Sequence, residues 1–200
     1  MCHTLAPDVT IDEDRKQMIT INEKIAERSK QKITNALLSV MEQYSFKEIT
    51  ITQLSQESQL SRKTFYRLFN NKDDVLSYLF EQLYIKCLEE LRSRNANHYL
   101  DVVQCYFDFW EKRKNTLSVF SKNGLLPALF DGAYKYSFSV FMQVRSKDVS
   151  QEYSVPLPYL LAYSIGGIHS MLMKWAENEM EIPSCQLIET LRKAFSSSEI

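Results

Sequence analysis

Within the span 62–67, Arg62, Lys63, Thr64, Tyr66 and Arg67 surround a single apolar residue, Phe65, and Leu68 and Phe69 follow at helical spacing. That spacing puts Phe65, Leu68 and Phe69 on one inward stripe and turns the cationic and donor-rich groups outward. No nucleophile, base and stabiliser converge in such a set, so its chemistry is recognition of an acceptor-rich polyanion. Cations near the start of a short helix reach base edges in a major groove, while neighbouring hydroxyls and lysines hold phosphates. The candidate contact residues are Thr50, Ser61, Arg62, Lys63, Thr64, Tyr66, Arg67 and Lys72.

These groups need two short helices and a tight turn to hold them. Thr50 favours an N-cap, and Gln53 three positions on can return its hydrogen bond in a capping box. Leu54 and Ser58 share a face, Leu60 sits in the turn, and Ser61 caps the second helix. Asn71 and Asp74 mark the cap of another helix. Lys72, at the start of that helix, is expected beside a phosphate drawn to the positive helix end.

The 200-residue chain is 44% hydrophobic, and its four glycines and five prolines leave long helical stretches uninterrupted, which predicts an all-α protein. Its net charge of −1 conceals an asymmetry, since residues 24–72 hold nine Lys/Arg against four Asp/Glu and the remainder is acidic. The basic part coincides with the candidate reader. Cys2, Cys87, Cys105 and Cys185 are scattered, as are His3, His98 and His169, so no metal site, disulfide framework or cofactor is implied. Asp8, Asp12, Glu13 and Asp14 take the place of a secretory apolar run, and a cytoplasmic, non-enzymatic protein is expected.

Three regions are expected: an extension over 1–22, a helix-turn-helix domain over 23–72 and a larger helical domain over 73–200. Ile33, Ala36, Leu37, Val40 and Met41 predict the helix that buttresses the reader. Val75, Leu76, Leu79, Phe80, Leu83, Tyr84, Cys87 and Leu91 predict a long amphipathic helix leading out of it. Further helices are expected over 98–113, 116–121, 127–146, 156–179 and 184–196. The apolar stretch from Pro156 to Ala176 is broken by Pro158, Gly166, Gly167, His169 and Lys174, so it reads as an interface helix and no membrane partner is expected. Gly166 and Gly167 would admit a second helix, with Trp175 as an anchor and a final stripe through Leu187 and Leu191.

The segment T-I-T-Q-L-S-Q-E-S-Q-L-S-R-K-T-F-Y-R-L-F-N-N-K resembles the DNA-binding domain of the TetR family of transcriptional regulators. Ser61, Thr64, Phe65, Tyr66, Phe69 and Lys72 agree in type and spacing, and Leu54 and Leu60 keep the apolar positions. Ser55 and Ser58 replace alanines, Gln59 replaces the turn glycine and Lys63 replaces a second glycine. Gln59 would have to be left-handed, at a cost of about 1 kcal/mol. The sequence YLLAYSIGGIHSMLMKWAENEM is similar to the C-terminal region of some TetR-like regulators.

The resemblance, which runs from about residue 24 to 196, implies a three-helix DNA-binding domain followed by a larger ligand-binding and dimerisation domain. It also implies a homodimer built by the last two helices, double-stranded palindromic operator DNA as partner, and most often repression. Eleven aromatics between Tyr99 and Phe141 either fill a helical core or line a cavity for a small apolar or aromatic effector. Tyr106, Trp110, Phe130 and Tyr134 are the candidate lining, and His169 is read as a satisfied core or interface histidine. The alternative is a TetR-like co-regulator or protein-interaction module that does not bind operator DNA by itself.

Overall fold

The computed structural model describes residues 9–94, 96, 98–132 and 157–196, and among them every regular element is a helix. The chain divides into two units, Met1–Leu76 and Ser77–Ile200. The boundary falls inside a helix, four residues beyond the expected one.

The first unit contains α1 (Val9–Met41), α2 (Ile51–Glu57), α3 (Arg62–Leu68) and the start of α4 (Lys72–Ser93). Ile33, Leu37, Val40, Phe46, Ile49, Leu54, Phe65 and Val75 are buried and form its core. Phe65 and Phe69 meet at 6.0 Å between ring centroids, and the Ser39 hydroxyl donates to Glu57 Oε1 at 2.8 Å, tying α1 to α2. Within the expected extension over 1–22, α1 already starts at Val9, so 9–22 is helical. No glycine or proline interrupts that segment, but it carries no regular apolar stripe, so no buried periodicity marks it as helix. Residues 1–8 lie outside the described part.

The second unit contains the rest of α4, then α5 (Tyr99–Glu111), α6 (Lys114–Lys122), the helical residues 126–132 (α7), α8 (Leu157–Glu177) and α9 (Ser184–Ser196). These match the expected helices within two residues at most ends, and the expected continuation over 133–146 lies outside the described residues. The core is aromatic. Phe80 meets Phe120 at 5.2 Å, Trp110 meets Phe120 at 6.3 Å and Phe107 meets Trp175 at 5.6 Å, all edge-on as ring quadrupoles prefer. The Tyr84 hydroxyl donates to the Leu129 carbonyl, and a Cβ at Gly132 would lie 2.9 Å from Tyr84 Cε2, so glycine allows that close approach.

Polar contacts then lock α9 onto α5. The backbone N–H of Ser184 donates to Glu111 Oε1 at 3.0 Å, and its hydroxyl lies 2.7 Å from Asp108 Oδ1 and 2.8 Å from Glu111 Oε2. A carboxylate from one helix thus caps the first turn of another. Asp108 also accepts from Arg94 at 2.5 Å and Gln104 at 2.6 Å, while Glu90 accepts from Lys112 at 2.8 Å and Arg113 at 2.9 Å. No helix among the described residues is long and apolar enough to cross a membrane.

Candidate nucleic-acid interface

The reader is built by three local devices, each legible in the residues that make it. Thr50 accepts from the backbone N–H of Gln53 at 3.3 Å, and Gln53 Oε1 accepts in return from the N–H and the hydroxyl of Thr50, both at 2.8 Å. This capping box starts α2. Ser61 caps α3 by accepting from the N–H of Thr64 at 3.0 Å, with its hydroxyl 2.9 Å from that of Thr64. Between them Gln59 has φ 56°, the left-handed value expected of it. Its N–H donates to Gln56 and that of Leu60 to Ser55, at 3.1 and 3.0 Å, which closes α2 in a Schellman turn.

The turn points α3 so that its two faces separate cleanly. Phe65 is fully buried, whereas Arg62, Lys63, Tyr66 and Arg67 are exposed along the opposite side. Tyr66, half exposed, rests edge-on against Phe65 at 5.6 Å, which leaves its phenol outward. Thr64 is half-buried, and the hydroxyls of Thr50, Ser61 and Thr64 serve the caps. They position the cations that surround them.

Lys72, expected beside a phosphate, is engaged within its own unit. Its Nζ lies 2.7 Å from the carbonyl oxygens of Phe46 and Lys47 and 3.0 Å from that of Ile49, and 5.1 Å from the centre of the Phe46 ring. An ammonium has three donors, and all three are taken. A phosphate contact would require surrendering one, so Lys72 fastens the segment between α1 and α2. Asn71 and Asp74 behave as expected: Asn71 Oδ1 accepts from the N–H of Asp74 at 2.9 Å, and Asp74 accepts from both nitrogens of Asn70.

In the second unit the expected effector residues divide into two places. Tyr106 is half-buried and meets the buried Trp110 at 6.4 Å; the Trp110 Nε1 has no hydrogen-bond partner among the described residues. Desolvation pushes the Tyr106 phenol above its ordinary range. Phe130, also half-buried, pairs instead with His169 at 4.3 Å, and Tyr134 lies outside the described residues. His169 is buried as expected, and its Nδ1 has no hydrogen-bond partner among the described residues. Burial lowers its pKa against the opposing pull of Asp131.

The expected dimer residues divide as well. Gly167 is exposed and Gly166 half-buried, and no atom lies within 4 Å of a Cβ placed on either. Leu187 and Leu191 are half-buried. Trp175, expected to anchor a partner, is buried against Phe107, and its Nε1 donates to the Ile182 carbonyl at 2.8 Å. It belongs to the core of the second unit. An open groove of about 270 Å³ nevertheless runs past it, lined by Met171, Lys174, Asn178, Ile182 and Leu187.

Comparison with known proteins places this architecture. No family model matches the chain. The HTH-type dhaKLM operon transcriptional activator DhaS of Lactococcus lactis subsp. lactis (strain IL1403) is 28% identical over 67 residues, which span 34% of this chain and 34% of that protein. Among solved structures, the fatty acid degradation regulator FadR from Bacillus halodurans superposes with a TM-score of 0.64 at 14% identity, covering 85% of this chain and 99% of that one. A TetR transcriptional regulator from Streptococcus agalactiae 2603V gives 0.61 at 15% identity, covering 86% and 96%. The dihydroxyacetone kinase operon activator DhaS gives 0.56 at 12% identity, covering 83% and 93%.

A capped helix-turn-helix followed by a larger helical unit is the all-helical fold that the chain shares with these solved structures. That fold is TetR-like.

Proposed function

We propose that the chain is a DNA-binding transcriptional regulator that grips a palindromic operator as a homodimer and represses until a small, largely apolar effector releases it. The observation that carries this reading is the exposed set Arg62, Lys63, Tyr66 and Arg67 on a helix whose first turn is capped by Ser61. Such a helix presents cations and donors in a fixed direction, which major-groove readout requires. The effector reading draws support from the half-buried Tyr106 and Phe130 in an aromatic unit. Its route to the reader is α4, which supplies Val75 and Leu76 to the first unit and Leu79, Phe80 and Leu83 to the second. A tenfold change in operator affinity needs an effector preference of only about 1.4 kcal/mol between two positions of this helix.

Selection of binding sites from a random duplex library with the purified full-length protein tests the proposal. The expected result is an inverted repeat with half-site centres about 34–36 Å apart, weakened binding in Arg62→Ala and Lys63→Ala, and relaxed preference at the contacted base pairs. Failure to enrich any sequence removes the operator reading. A second reading, a co-regulator acting through a protein partner, is favoured by Lys63 where the resemblance has glycine. It stands if the purified chain shifts no DNA alone but does so with a partner.

A further inference from the structure

The segment of α1 ahead of Ile33 carries a row of cations that the recognition helix does not use. Lys24, Arg28 and Lys32 recur every fourth residue, so they follow one side of the helix with a rise of about 6 Å per step. All three are exposed, and none has a hydrogen-bond or ion-pair partner among the described residues. Glu23 and Glu27 lie one residue back, about 100° round the helix, so the charges are sorted onto separate edges. Sorting of this kind orients a helix toward a polyanion with the carboxylate edge away. Ile21 and Ile25, each about half exposed at 49% and 51%, share the basic side. Two isoleucines offer little apolar area for insertion into a lipid surface, whereas Arg62, Lys63 and Arg67 in the same unit form a further exposed cationic set.

We infer that the Lys24, Arg28 and Lys32 row is a second contact to the DNA phosphate backbone, which lengthens the footprint and adds affinity without reading sequence. The inference rests on the DNA-binding reading above. Each neutralised phosphate releases counterions, so three contacts contribute about 2.7 to the slope of log K against log salt concentration.

The test is a salt titration of the full-length protein on a fluorescent random-sequence duplex, over about 50 to 200 mM salt. Removing the row together, by Lys24→Ala, Arg28→Ala and Lys32→Ala, should flatten the slope by about 2 to 3 while the ratio of selected-site to random-site affinity is unchanged. The same loss of charge in the second unit, by Lys86→Ala, Lys114→Ala and Lys122→Ala, should leave the slope as it was. An unaltered slope in the row variant of a protein that binds duplex overturns the inference and spares the DNA reading. Equal flattening in the control overturns it as a net-charge effect. Loss of binding only to vesicles rich in anionic lipid assigns the row to a membrane and overturns it too. A wild type that binds no duplex at any salt removes both readings together. Unchanged circular dichroism shows that each variant is folded.

Discussion

The Nζ of Lys72 lies 2.7 Å from the carbonyl oxygen of Phe46, a residue 26 positions earlier in the chain. With Lys47 and Ile49 completing the set, one ammonium gathers three carbonyls that follow the end of α1. Those carbonyls have no strand or helix to satisfy them, and the cation replaces the missing donors. Lys72→Ala should therefore lower the stability of the first unit by about 1–3 kcal/mol, measured by urea unfolding. DNA affinity should fall alike on every sequence because the reader is less well held. The slope of affinity against salt separates this role from a phosphate contact: it should stay the same, whereas a lost phosphate contact would reduce it by about 1.

Gln59 holds a left-handed conformation at φ 56° with a side chain exposed to solvent, so nothing the side chain touches offsets the crowding at its Cβ. Gln59→Gly should raise stability by about 1 kcal/mol, and Gln59→Val should lower it, because a β-branched residue is the least tolerant of that backbone. A lower denaturation midpoint for the glycine variant would show that unfolded-chain entropy outweighs the strain.

Acid should loosen the junction of α5 and α9. Burial pushes the Asp108 carboxyl up, but hydrogen bonds from Arg94, Ser184 and Gln104 outweigh it and hold the group below its ordinary value of 3.8. Glu90 is held below 4.5 in the same way, burial opposing the bonds from Lys112 and Arg113. A depressed folded-state pKa contributes stability above the unfolded value, and this is lost as pH falls through the folded one. The urea midpoint of the second unit should thus drop between about pH 5 and pH 3, and Asp108→Asn should flatten that drop. Ser184→Ala should cost about 1–2 kcal/mol at neutral pH, since the hydroxyl is buried between two carboxylates.

The features legible in the sequence are those settled within a few residues. Thr50 with Gln53, Ser61 with Thr64 and the left-handed Gln59 each depend on neighbours at most five positions away, and each stands where local rules put it. Lys72 looked like a phosphate ligand because its partners lie 23 to 26 residues back, on carbonyls that no side-chain pattern announces. Trp175 looked like an interface anchor for a similar reason: Phe107, which covers it, belongs to another helix. The pairing of Phe130 with His169 joins α7 to α8 and has no local signal either. The early start of α1 was hidden because Ile21 and Ile25 stay exposed, so no buried stripe reports that turn of helix. Short-range hydrogen bonds can be read from type and spacing, while long-range packing decides which polar groups remain free for function.

Gly167 offers a clean way to test the homodimer. A Cβ placed there meets nothing within 4 Å, so a large side chain should not disturb its own subunit. Replacing glycine inside a helix also removes a penalty of about 1 kcal/mol relative to alanine, which favours a folded variant. Along the same outward side of α8, Tyr159 and Tyr163 are 74% and 73% exposed, an uncommon state for aromatic residues on an otherwise apolar helix. If two copies pair through this face and through Leu187 and Leu191, with a contact of about 2,000 Å² or more as in obligate homodimers, a tryptophan at the glycine would hold them apart. Light scattering should then report a dimer for the wild type and a monomer for Gly167→Trp, with unchanged helical circular dichroism. Operator affinity should drop sharply, because a monomer engages one half-site and loses the effective concentration that linkage supplies to the second. A wild-type monomer, or a variant that remains fully dimeric, would move the interface away from α8 and α9.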